Sequence, residues 1–156
     1  QIIANMNKKQ KRLARCLAVQ LLYSSELSEN HSSKDIINSF FRSIDTDLDE
    51  VVYSKNEIDY AIKLVDYALK HIENIDKLIQ EKLVNWEMNR LAVMDKVILR
   101  MRVSEMLYMD GIPPKVSMAE GIEIAKQFST SDSSGFINGV LDAIYNDHKD
   151  SIDKKA

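Results

Sequence analysis

The sequence has few of the residues that form turns between strands. Its 156 residues include only four glycines and two prolines, and both prolines stand together at Pro113 and Pro114. A strand-rich protein of this length needs more turn residues than this, so the composition predicts an all-α fold. Hydrophobic residues make up 45% of the chain and charged residues 29%, which is ordinary for a globular protein. The length suits one domain with a single core.

Cysteines, long apolar runs and grouped metal ligands are also scarce. Cys16 is the only cysteine, so this sequence can form no internal disulfide, and we expect a buried thiol in a cytoplasmic protein. No apolar run approaches the roughly 20 residues of a membrane span, and no signal peptide is visible. His31, His71 and His148 are scattered, and the glycines form no phosphate-binding loop. We therefore expect no metal site, no cofactor and no enzymatic activity.

Acidic residues are absent from the first 25 positions, although the whole chain has a formal charge of −3. Five cations lie in that segment, so the remaining residues must carry −8. The five are Lys8, Lys9, Lys11, Arg12 and Arg15. Positive charge near a helix N-terminus opposes the helix macrodipole, so the arrangement calls for an explanation other than helix stability.

The apolar spacing over residues 7–28 predicts an amphipathic helix, with Lys8, Lys11, Arg12 and Arg15 on one charged face. Two interpretations of this face stay open at this point. It can simply keep the protein in solution, or it can bind the phosphates of a nucleic acid. Gln20 and Tyr23 lie one to two turns further on and favour the second, because they can hydrogen-bond and stack with bases. Tyr23 can equally be an aromatic residue at the edge of the core.

Hydrophobic periodicity and capping signals predict further helices, giving six or seven in one bundle-like domain. An acidic loop over residues 45–50 precedes the third helix, a break at Asn74 separates the third and fourth, and the tail after residue 145 is expected to fray. Ser54 and Ser117 each stand three residues before a glutamate and are expected to cap helices. The predicted spans are about 34–44, from 54 to 72, 75–83, 88–109, 117–128 and a last helix after Asp132.

Polar side chains interrupt the apolar helix over 88–109. Arg102 and Glu105 are three residues apart and are expected to pair across one turn. Asp132 is expected to be an N-cap or first-turn carboxylate of the last helix. Gly139 lies inside that helix, where glycine costs about 1 kcal/mol relative to alanine, and we expect another backbone to pack closely against it.

Four segments, in order, resemble the NusB family of bacterial transcription antitermination factors. They are RLARCLAVQLLYSSEL (12–27), NWEMNRLAVMDKVILRMRVSEMLY (85–108), PPKVSMAEGIEIAKQF (113–128) and SSGFINGVLDAI (133–144). The resemblance extends over nearly the whole chain from Met6, which we expect to be the natural start, with residues 1–5 a remnant of the expression vector. It implies one all-helical NusB-like RNA-binding domain over 6–150, with two small bundles (about 6–84 and 85–150) in one body.

The resemblance also implies a function without catalysis. Members bind the boxA element of RNA together with NusE, a small-subunit ribosomal protein, and join an antitermination complex on RNA polymerase in ribosomal RNA transcription. Charge and resemblance together give the expected RNA-binding residues: Lys8, Lys11, Arg12, Arg15, Gln20, Tyr23, Arg100 and Phe136. The residues expected to bind the protein partner are Asp95, Asp132 and Phe136.

The sequence departs from the family pattern at four positions. Leu13 and Gly135 stand where Arg and Lys are frequent, Ala119 where Asn is usual, and Arg102 where a small residue is usual. Two alternative functions are carried alongside. One is the RNA-binding domain found with ribosomal RNA cytosine methyltransferases, and the other is a helical protein-interaction adaptor. Monomer and homodimer both fit the sequence.

Overall fold

The computed structural model describes residues 5–28, 32–44 and 53–156. Within these ranges the chain forms eight α-helices and no strand, which confirms the all-α prediction, although the helix count is slightly above six or seven. The helices are α1 (Lys8–Leu27), α2 (Ser33–Ile44), α3 (Lys55–Lys70), α4 (Ile72–Glu81), α5 (Val93–Tyr108), α6 (Pro114–Phe128), α7 (Ser131–Asp147) and α8 (Lys149–Lys155). The predicted acidic loop at 45–50 lies outside the described residues.

Helix α5 is the centre of the fold. It packs against α1, α3, α4, α6 and α7, and side chains from 97 to 99 and from 101 to 106 are all buried. A helix that is apolar on most sides requires neighbours on most sides. The expected boundary between the two halves, near residue 85, falls in the connection between α4 and α5. The division into two small bundles, at about 6–84 and 85–150, stays a prediction.

Local chemistry explains where the helices begin. Asn7 caps α1, because its side chain accepts from the Gln10 backbone N–H at 2.8 Å and the Gln10 side chain accepts in return from the Asn7 N–H at 3.0 Å. The predicted capping box of Ser54 and Glu57 is confirmed at the start of α3. The prediction that Ser117 begins α6 is wrong, since α6 begins at Pro114. Proline suits the first helical position, where its missing N–H is not needed.

Three other boundary predictions are corrected. The helix break lies at His71 rather than Asn74. The helix expected from about 88 begins at Val93, after a short 3₁₀ turn at Met88–Arg90. The tail is not frayed: α8 buries Ile152, and the Lys155 carbonyl accepts a 2.7 Å hydrogen bond from the Gly111 N–H. This bond ties the end of the chain to the connection that leads into α6.

Candidate nucleic-acid interface

The cations of α1 do not share one environment. Lys8 and Lys9 are exposed and Lys11 is half-buried. Arg12 keeps 40% of its side chain exposed, but Arg15 is only 2% exposed. Arg15 lies on the same side of α1 as Lys8 and Lys11 but is less exposed than they are, because its guanidinium is buried against the carboxylate of Glu105.

Arg12 is held in place by a carboxylate from α6. Its Nε and one terminal nitrogen donate to the two oxygens of Glu120, each at 2.9 Å. Such paired bonds fix the plane of the guanidinium as well as its position. The Glu120 partner raises the pKa of Arg12, and the same hydrogen bonds lower the pKa of Glu120. The basic end of α1 is thereby fastened to α6.

Glu105 of α5 is the anion at the centre of a buried cluster. Its carboxylate accepts from Arg15 Nε at 2.8 Å, from the Tyr60 hydroxyl at 2.6 Å and from an Arg102 terminal nitrogen at 2.7 Å. The Ser117 hydroxyl donates to it at 3.3 Å and accepts from Arg102 at 2.6 Å. The predicted pair of Arg102 and Glu105 is thus confirmed, as one part of a network that joins α1, α3, α5 and α6.

The network has more positive than negative charge. Burial alone would raise the pKa of Glu105, but the nearby arginines and their hydrogen bonds hold it below its ordinary value. Arg102 is completely buried, and burial lowers its pKa despite the attraction of Glu105. Its Nε has no hydrogen-bond partner among the described residues. Two arginines thus share one carboxylate, so the cluster depends on Glu105 more than on Arg102.

Arg100, expected from the resemblance to bind RNA, is engaged within the protein. Its guanidinium donates to both oxygens of Asp76 at 2.8 Å and also to Glu26. Only 11% of its side chain is exposed. These bonds join α5 to α4 and to the C-terminal end of α1, so in this structure Arg100 fastens helices together.

Gln20 and Tyr23 are both half-buried. Gln20 borders a surface pocket of about 240 Å³, whose other lining residues include Lys9, Arg12 and Tyr53. Tyr23 packs against the hydrophobic core, which agrees with the alternative that it is an aromatic residue at the edge of the core. The pocket thus places an amide and an aromatic ring beside two cations of α1.

Asp95, Asp132 and Phe136 line one open groove of about 340 Å³. Asp95 is 8% exposed and accepts from the hydroxyls of Ser129 at 2.6 Å and Ser133 at 2.9 Å. Asp132 is exposed in the first turn of α7. The expected first-turn carboxylate is confirmed, while Thr130 supplies the cap. We call this site the Phe136 groove.

Trp86 and Arg90 also line the Phe136 groove, and sequence reasoning did not single out Trp86. Trp86 is 57% exposed. It follows Asn85, which has a φ of 65°, a conformation uncommon for residues other than glycine. The Gln80 side chain holds this turn, since it donates to the Trp86 carbonyl at 2.9 Å and accepts from the Met88 N–H at 2.8 Å. The aromatic ring is therefore displayed by a fixed turn.

The expected close packing at Gly139 is not found. A Cβ placed there would meet nothing within 4 Å, whereas one placed at Gly121 would lie 3.2 Å from Arg102 Nε. Among the described residues no group of three His, Cys, Asp or Glu side chains could hold a metal ion. None of the described helices is both long enough and apolar enough to cross a membrane.

The described residues thus form a small all-helical protein with three separate charged or aromatic surface grooves. Residues 12–146 match the sequence model of the NusB family. Transcription antitermination protein NusB of Chloroherpeton thalassium is 40% identical over 139 residues, which are 89% of this chain and 63% of that protein. NusB of Syntrophus aciditrophicus is 37% identical over 88% of this chain and 80% of its own length. The chain belongs to the NusB family.

Solved structures agree with this assignment. T. maritima NusB has a TM-score of 0.78 and 31% sequence identity, over 95% of this chain and 99% of that one. The NusB chain of a crystal structure of antitermination factors NusB and NusE in complex with dsRNA has a TM-score of 0.77 and 26% identity, over 90% and 99% of the two chains. The chain spans less than two thirds of the C. thalassium relative but nearly all of each solved structure.

Proposed function

We propose that this chain is a cytoplasmic transcription antitermination factor. It binds boxA-type single-stranded RNA together with NusE and joins an RNA polymerase antitermination complex in ribosomal RNA transcription. The observation that carries the proposal is the separation of charge within a NusB-family fold. Lys8, Lys9 and Lys11 crowd the start of α1 in a chain of net charge −3, while Asp132 and Phe136 face a different groove. The related crystal structure of NusB and NusE in complex with dsRNA supports NusE and RNA as the classes of partner.

The cations of α1 supply affinity rather than sequence choice. Lys8, Lys9, Lys11 and the exposed part of Arg12 can reach phosphates, whereas Arg15 and Arg100 position helices through their carboxylate partners. Each phosphate neutralised on single-stranded RNA contributes about −0.7 to the slope of log affinity against log salt. Three or four contacts therefore give a slope of about −2 to −3. Binding by this face alone is weak and strongly dependent on salt.

Base recognition needs aromatic and hydrogen-bonding groups together with a second protein. Gln20, Tyr23 and Phe136 offer such groups at the surface, where unstacked RNA bases are normally read. Asp132 places an exposed negative charge at the rim of the Phe136 groove, which the exposed Arg90 also lines. This negative charge attracts a basic ribosomal protein and speeds its association. RNA then lies across both proteins, and the protein partner completes the site.

The test is fluorescence anisotropy of a labelled boxA-type RNA and of a scrambled RNA, at two salt concentrations, with and without NusE. We expect tight, sequence-selective binding only when NusE is present. Weak binding that ignores both sequence and NusE would refute the proposal and favour a helical adaptor.

A charge reversal tests the partner surface. Asp132→Lys is expected to weaken the complex with NusE, because it replaces the exposed carboxylate of the Phe136 groove by a cation. Asp142→Lys is the matched control, since Asp142 is exposed on the same helix, about 15 Å further along its axis. Equal affinity of the two variants for NusE would contradict the assignment of Asp132.

A further inference from the structure

A third groove, of about 420 Å³, lies between the N-terminal ends of α1 and α6. Lys8 and Lys11 of α1 line it together with Lys115 and Val116 of α6. Lys115 is exposed and lies far along the chain from the cluster of cations in the first 25 residues. The volume is far above the roughly 30 Å³ that one water molecule occupies in the liquid, so a hydrated phosphate group can enter. We call this site the basic groove.

Arg15 also lines the basic groove, although it is only 2% exposed. Its guanidinium donates to Glu105 through Nε. Its two terminal nitrogens donate no hydrogen bond to any of the described residues. A buried cation with donors left over therefore lies at the bottom of the groove, below lysines at the rim.

The one carboxylate that lines the basic groove among the described residues is already paired with an arginine. It belongs to Glu120, and both of its oxygens accept from Arg12. Neither α1 nor α6 has an acidic residue in its first turn, so the positive ends of both helix dipoles are uncompensated there. Arg15 is balanced by Glu105 and Glu120 by Arg12, so the three lining lysines give the groove a net positive charge that favours an anion.

We propose that the basic groove binds backbone phosphates of the RNA strand and that Lys115 is an RNA-binding residue. The inference rests on the proposed function and extends the path of the RNA from α1 onto α6. Lysine carries a compact charge on a flexible side chain, so Lys115 can reach a phosphate oxygen. Contacts to phosphate do not distinguish base sequences directly. Val116, 45% exposed, gives the groove an apolar wall suited to a ribose. A basic protein partner would be repelled from this site.

Lys115→Ala is the variant that tests the inference. Removal of one phosphate contact is expected to make the salt slope less steep by about 0.7. It should also weaken binding about 1.5- to fivefold, the range for an exposed charge pair, and equally for boxA-type and scrambled RNA. Because Lys115 is exposed, the variant should remain folded.

Lys77→Ala is the matched control. Lys77 is exposed on α4 and lies far from the basic groove. Its neighbour Asp76 is joined through Arg100 to Glu26. Glu26 lies at the C-terminal end of α1, about 27 Å along the helix axis from Lys8. Its salt slope should equal that of the wild type. If the two variants share that slope while the wild type binds boxA-type RNA with NusE, the basic groove is not on the RNA path. If the wild type itself binds no RNA, the proposed function fails. If Lys115→Ala changes only the affinity for NusE, the groove is a protein site and the inference is wrong.

Discussion

Replacement of Glu105 by glutamine removes the one anion that two buried arginines share. Arg102 is 0% exposed and has no access to solvent, and Arg15 is 2% exposed and borders solvent only at the bottom of the basic groove. Glutamine has nearly the same shape but no charge, and its amide nitrogen would face donors from Tyr60 and the arginines. Removal of one partner of a buried ion pair costs about 3–5 kcal/mol. We expect Glu105→Gln to lose that amount of unfolding free energy, a large part of the roughly 5–15 kcal/mol of a small domain.

Arg102→Met tests the same charge argument from the other side. It removes one of two cations and leaves Arg15 paired with Glu105, and it also eliminates an Nε that has no partner. Replacement of a whole buried ion pair by apolar residues is often neutral, and loss of Arg102 still leaves Arg15 and Glu105 as a neutral pair. We therefore expect Arg102→Met to cost less than about 2 kcal/mol, clearly less than Glu105→Gln. The order of these two variants tests the reasoning more sharply than either magnitude.

The assay is equilibrium unfolding in urea, monitored by circular dichroism, with the slope against denaturant compared between variants. Glu123→Gln is the control, because Glu123 pairs with Lys126 at 3.6 Å and both are about half exposed. It should change the unfolding free energy by less than about 0.5 kcal/mol. The reasoning is refuted if Glu105→Gln is as stable as this control, or more stable than Arg102→Met.

Two more predictions concern pH and helix packing. The pKa values of Glu105 and Glu120 in the folded protein lie below the ordinary 4.5, so their contribution to stability is present above that pH and is lost as the pH falls below it. The urea concentration at the unfolding midpoint, measured from pH 7 to pH 3, should decrease at pH values below 4.5, and the decrease should be smaller in Glu105→Gln. A midpoint that stays constant below pH 4.5 would contradict this prediction. Gly139→Ala should stabilise α7 by up to about 1 kcal/mol, because its surroundings are open. Gly121→Ala should be at least about 1 kcal/mol less stable than Gly139→Ala, since its Cβ would press on Arg102 at 3.2 Å; thermal unfolding that ranks them in the reverse order would contradict this.

Local signals in the sequence predicted the helices well. The capping box at Ser54 works because it depends on residues three positions apart. Ser117 carries the same spacing of serine and glutamate but lies buried within α6, where its hydroxyl bonds Arg102 and Glu105. The identical pattern has a different meaning there because Pro114 begins the helix one turn earlier. A motif of four residues cannot report which of two adjacent starts the tertiary structure uses.

Exposure of the charged residues could not be predicted in the same way. Helical spacing places Arg15 on the same side of α1 as Lys8 and Lys11. That spacing does not reveal that the fold brings Glu105, 90 positions later, into hydrogen-bond contact with Arg15. Lys115 was missed for the same reason, since its approach to α1 is created by the packing of α6. Pairing between distant segments depends on the tertiary fold, and the hydrophobic periodicity within one segment cannot predict it.

The long sequence separation of these ion pairs bears on how the chain folds during synthesis. Arg15 meets its carboxylate 90 residues later, and Arg12 meets Glu120 after 108. While the first half of the chain leaves the ribosome, the charge of Arg15 has no acceptor, and its burial in α1 would be unfavourable. We therefore expect the native packing of α1 to wait for α5 and α6, so that the two halves of this small protein gain their structure together rather than one after the other.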